Sequence, residues 1–96
     1  MITLREARAK VARLVDDKAA VIGIDLAIND PATREESWCW IFFYNSRAYL
    51  ETGSFSHALT GNGPIVVEKG TGVVHELVTA RPIEEQLEGL RPPGGS

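Results

Sequence analysis

Ser37-Trp38-Cys39-Trp40-Ile41-Phe42-Phe43-Tyr44-Asn45 sets seven apolar or aromatic side chains in a row between two polar ends. A run so short and so aromatic is a strand rather than a helix. Nine extended residues span roughly 30 Å, the width of a small domain. Alternation puts Trp38, Trp40, Phe42 and Tyr44 on one face and Cys39, Ile41 and Phe43 on the other. Neither face is polar, so both need cover, and the stretch reads as the central strand of a sheet. The four large side chains of the first face can bury roughly 150–250 Å² each. That face is therefore expected to meet the main helix, with Trp38 free to escape at the strand's mouth.

Upstream, Thr3-Leu4-Arg5-Glu6 has the form of a capping box, a reciprocal pair of hydrogen bonds that opens a helix. Leu4, Ala7, Val11, Leu14 and Val15 follow at spacings of three and four, one apolar stripe that runs out near Asp17-Lys18. Val21 to Leu26 then reads as a strand, Asn29-Asp30-Pro31 as a turn, and Ala32 to Glu36 as a polar loop. Downstream, Asn45-Ser46 predicts a hairpin turn and Ala48 to Leu50 a short returning strand that stops at Thr52-Gly53. Ser54 to Leu59 suits one helical turn, and Gly61-Asn62-Gly63-Pro64 an irregular turn that sets strand register. Ile65 to Glu68 and Val73 to Thr79 form a hairpin across Lys69-Gly70-Thr71-Gly72. A final helix starts at Arg81-Pro82, with Ile83, Leu87 and Leu90 on its apolar side.

Short links between neighbouring strands imply antiparallel pairing. The expected fold is α+β: an antiparallel sheet of four to five strands, one long N-terminal helix packed on it, and a short C-terminal helix. The domain is expected to span 1–90, with 91–96 a disordered tail. Either the terminal helix or another protein must cover the Ile41 and Phe43 face.

Composition narrows the function classes. The chain has 96 residues, 44% of them hydrophobic and 24% charged, as in ordinary soluble domains. A net charge of −3 argues against nucleic acid as a partner, which would call for a basic face. No apolar run approaches twenty residues and no signal-peptide core precedes Arg5, so no membrane role is expected. One cysteine excludes an internal disulfide and fits a reducing, cytoplasmic setting.

The chemistry-bearing residues do not assemble into an active site on paper. Cys39 sits among large apolar groups that disfavour a thiolate. His57 falls in a loop and His75 in a strand, eighteen positions apart, which matches no metal-ligand spacing. Glu35-Glu36 and Glu84-Glu85 are adjacent carboxylates on polar segments, the pattern of a solvated surface. No catalytic, cofactor-binding or metal-ligating residue is assigned, and the reading is a protein that is not an enzyme.

An ordered series of stretches nonetheless resembles a known family. It consists of Trp40 to Ser46, Tyr49-Leu50-Glu51-Thr52-Gly53, Ala58 to Pro64, Gly72, and Thr79-Ala80-Arg81-Pro82-Ile83-Glu84-Glu85. Together these resemble the small bacterial YrhB-type domain, catalogued as an immunity-protein family of polymorphic toxin systems, over roughly residues 3 to 90. Thr60 holds the small-residue position that the family pattern sets before Gly-Asn. The resemblance implies a non-catalytic protein that neutralises a cognate toxin by occluding it, and it carries over no residue-level site.

A partner-binding face is then expected around Ile41 and Phe43, with Val74 and Val78 beside them and Glu76 at the acidic rim. Two further uses of an apolar face stay open. One is a chaperone-like, stress-related role that holds unfolded clients; the other is a homodimer.

Overall fold

The fold grows from a helix that outruns its apolar stripe. A computed structural model describes residues 1–93; the part of the expected tail at 94–96 lies outside them. Helix α1 spans Leu4–Ile22 and opens with the full capping box. The Thr3 hydroxyl accepts from the Glu6 amide at 3.1 Å, and the Glu6 carboxylate accepts from the Thr3 amide at 2.9 Å. Those bonds, the backbone one foremost, hold the Glu6 carboxyl below its ordinary pKa. Nothing between Asp16 and Ala20 breaks a helix, so α1 continues until Gly23 turns left-handed and bonds Ala19. The strand expected at Val21 to Leu26 is thereby displaced. Only β1, Leu26–Ile28, is extended.

The aromatic stretch is extended but divided. Strand β2, Arg34–Glu35, lies inside what reads as a polar loop. Strand β3 is Cys39–Phe42 and β4 is Tyr44–Ser46, with a break at Phe43. The break sends the two halves to different partners. β4 pairs antiparallel with β1, Ile28 opposite Tyr44. β3 joins a four-stranded antiparallel sheet with β2, β5 (Ile65–Glu68) and β6 (Val74–Glu76), in the order β2-β3-β5-β6. β3 is thus flanked on both edges, Trp40 lying opposite both Glu35 and Val67, and all four of its residues are buried.

After β4 the chain forms helix α2, Arg47–Thr52, in place of the expected returning strand. Ser46 does not turn a hairpin. Its hydroxyl accepts from the Tyr49 amide and caps α2. A 3₁₀ turn follows at Phe55–His57, as expected for one helical turn. Gly63 needs its missing side chain, since a Cβ there would sit 1.8 Å from the Leu77 carbonyl oxygen. The β5–β6 hairpin forms, but β6 covers only Val74–Glu76 of the Val73 to Thr79 expected, and helix α3 covers Ile83–Leu90.

Two cores result. Trp40, Phe42, Tyr44, Ile65 and Val67 pack with Leu26 against Ala7, Val11 and Val15 of α1. Cys39, Ile41 and Val66 pack with Leu77 against Leu87 of α3, with Phe43, Ile83 and Leu90 at the margin. The terminal helix therefore covers the second face. Trp38 belongs to this second core rather than to the α1 side. It precedes the paired residues of β3, so strand alternation does not govern it.

Candidate functional site

The residues expected to form one contact face are scattered. Ile41 is fully buried beneath α3, so no partner reaches it while that helix is docked. Phe43 is half-buried at the margin of the same core. Val74 packs on the opposite, α1 side, and Glu76 ion-pairs there with Lys18 at 2.5 Å. Val78 lies past β6, its amide and carbonyl both bonded by the Gln86 side chain at 2.9 Å. The structure thus sets Ile41 under α3 and Phe43 at the edge of that core, apart from Val74 and Glu76 on the α1 side.

Val78 stays accessible at 53% exposed, and Met1, Leu4 and Val73 are exposed too, but another group of exposed apolar side chains lies away from the expected face. Val21, Ile22 and Ile24 stand in or just beyond the last turn of α1, and Phe55 lies in the 3₁₀ turn after α2. Val21 and Phe55 are 86% and 84% exposed, which sets them apart from core side chains. Three clefts join this end of the molecule. One of about 360 Å³ is lined by Asp17, Lys18, Val21 and Ile22. A second of about 200 Å³ continues from Lys18 and Ile22 across Tyr44 to Leu59 and Asn62. The third, about 570 Å³, runs from Leu59 and Thr60 to Ile24, Asp25, Arg47 and Glu51. Shared walls at Ile22 and at Leu59 make them one surface.

Side-chain amides and a hydroxyl hold the floor of that surface. Asn45 accepts from the Leu59 amide at 2.7 Å and donates to the Leu59 carbonyl at 3.4 Å. Ser46 Oγ donates to the His57 carbonyl. Asn62 donates to the Tyr44 carbonyl at 2.6 Å. Tyr49 and Phe55 rings meet with centroids 6.1 Å apart, fixing the 3₁₀ turn against α2. Arg47 pairs with Asp25 at 2.9 Å. The Glu76 carboxylate raises the Lys18 pKa, keeping it cationic.

Among the described residues the titratable groups form no nucleophilic pair. Burial pushes the Cys39 thiol up to about 11, so it stays protonated at neutral pH. The His75 ring nitrogen lies 2.6 Å from the Glu68 carboxylate and is engaged there rather than with the thiol. Among the described residues no three histidine, cysteine or carboxylate side chains converge as a metal site. No helix among them is long and apolar enough to cross a membrane. The surface can therefore bind, through apolar contacts framed by charge.

Sequence reading missed this surface because Val21-Ile22-Gly23-Ile24 looks like a buried strand. The signal was Gly23, a residue equally suited to stopping a helix.

Comparison with known proteins gives two likenesses. The family model described as immunity protein 35 matches residues 5–89. The uncharacterized protein YrhB of Escherichia coli (strain K12) is 36% identical over 88 residues, which cover 92% of this chain and 87% of that protein. No solved structure matches.

Proposed function

The chain belongs to the immunity protein 35 family, and on that premise we propose that it neutralises a cognate bacterial toxin by binding and occluding it. The observation that carries this reading is the family match across residues 5–89, nearly the whole folded unit. An accessible apolar surface and a thiol too basic to act as a nucleophile at neutral pH support a binding role. The free cysteine suits action in the cytoplasm, where a toxin entering the cell would be met.

The test pairs the protein with the product of the adjacent open reading frame. Co-expression is expected to rescue growth that this product alone arrests, and the purified pair is expected to form one tight complex. Rescue without a complex, or no rescue, counts against toxin occlusion. Suppressed aggregation of unrelated denatured proteins, with no single tight partner, would favour the chaperone-like role instead. A stable dimer in light scattering, with no other partner, would favour self-association.

A further inference from the structure

We infer that the end of the molecule where α1 stops, centred on Val21, Ile22, Ile24 and Phe55, is the surface that receives the toxin, and that it fits a cationic partner. This rests on the toxin-binding reading and goes beyond it by naming the interface and its charge. Val21, Ile22 and Ile24 sit along connected clefts rather than singly, as Ile22 walls two of them and Leu59 two, and Phe55 precedes Ser56, which lines the third. A stable interface needs an apolar centre with a polar rim, and both are present here.

Charge selects the occupant. Each cation on this surface is already matched, Lys18 by Glu76 and Arg47 by Asp25. Asp17 and Glu51 line the outer clefts and make no ion pair among the described residues. The last turn of α1 carries no basic side chain, although the carbonyls exposed there concentrate partial negative charge. Asp17 lies just before that turn without an ion pair among the described residues, and a lysine or arginine brought by a partner would find a free carboxylate there. The occupant is thus a toxin surface with an apolar pocket or ridge bordered by basic side chains. A second copy of this chain would bring the same surplus carboxylates and repel itself.

The experiment titrates the full chain against the purified product of the adjacent open reading frame by calorimetry and stopped-flow. Val21→Ser with Phe55→Ser alters the two most exposed anchors without adding charge, so folding should persist, as a cooperative melting curve will confirm. Affinity is expected to fall about 100-fold, the usual scale when central anchors are lost. Asp17→Lys with Glu51→Lys is expected to slow association about tenfold and flatten its salt dependence. Leu4→Asp, also exposed but roughly 25 Å away along α1, should bind like wild type.

Wild-type affinity in the Val21/Phe55 variant overturns the inference while leaving toxin binding intact. Faster association in the lysine variant overturns the cationic partner. A wild-type chain that binds nothing sinks the function and this surface together. Self-association abolished by Val21→Ser with Phe55→Ser would assign the surface to a second copy and overturn the toxin interface.

Discussion

On one face of the four-stranded sheet lies a helix of 19 residues, and on the other a helix of 8. α1 brings a capping box and three fully buried side chains, Ala7, Val11 and Val15. α3 has no side-chain cap and buries Leu87 alone. It is tied instead from its polar side, by Gln86 to the Val78 backbone and by Glu84 to Arg34 at 2.8 Å. The two layers share β3 but not a mode of attachment: one is welded by packing, the other latched by polar contacts around a small apolar patch. The expected consequence is unequal opening, with α3 detaching at lower free energy than the whole chain unfolds.

The largest effect should come from the α1 layer. Phe42→Ala removes a fully buried ring from its centre and is expected to lower stability by about 3–5 kcal/mol, read by denaturant unfolding. Leu87→Ala, in the smaller second core, should cost about 2 kcal/mol. Their difference closes if α3 is in fact as firmly seated.

Thiol labelling sharpens the contrast, because Cys39 lies under α3. In Leu87→Ala, Cys39 should react with a disulfide reagent faster than global unfolding allows. In Phe42→Ala its rate should track global unfolding. Equal rates at matched stability would mean that both layers open together. Gln86→Ala releases the exposed amide and carbonyl of Val78 to water and is expected to cost about 0.5–1 kcal/mol, with a parallel rise in labelling. Thr3→Ala should cost a similar amount, about 1 kcal/mol, without exposing the thiol.

The smallest effect is the tie between α1 and the 30–32 turn. Arg8 grips the Asp30 carboxylate at 2.7 and 2.8 Å and holds its pKa below the ordinary 3.8. A carboxyl depressed in the folded chain adds stability above its unfolded pKa, and that stability is lost as pH falls through the folded value. Asp30→Asn should therefore flatten the melting-temperature profile below about pH 4. Both partners are about half exposed, so the loss stays under about 1 kcal/mol at neutral pH.

The welded layer was the more legible one in sequence. Thr3 and Glu6 announced the helix start, the spacing of Ala7, Val11 and Val15 its inner face, and the aromatic stretch the strand it covers. Ile65 to Glu68 and Lys69 to Gly72 announced the hairpin. The apolar trio of α3 was visible too, although which partner it met was not, since nothing local says what lies across a sheet. Polar β2 escaped because Arg34 and Glu35 join β3 through the backbone and reach Glu84 and Lys69 through charge, and hydropathy patterns register neither. Ser46 was ambiguous for a physical reason: the same residue type turns hairpins and caps helices. The choice was made by β1, which pairs through Ser46 and leaves its hydroxyl to start α2. The candidate surface was hidden by a comparable competition at Gly23 between helix stop and strand interior.

Asn45 gives that surface a property of its own. Its carboxamide holds both backbone groups of Leu59, while the Ser46 hydroxyl and the Asn62 side chain add their own anchors to main-chain carbonyls. A strip stapled through its backbone loses its conformational freedom when the chain folds, not when a partner arrives, so rigid-body docking there carries little ordering penalty. Because the staples face inward, the side chains that meet a partner can be exchanged for others without unfastening the platform that displays them.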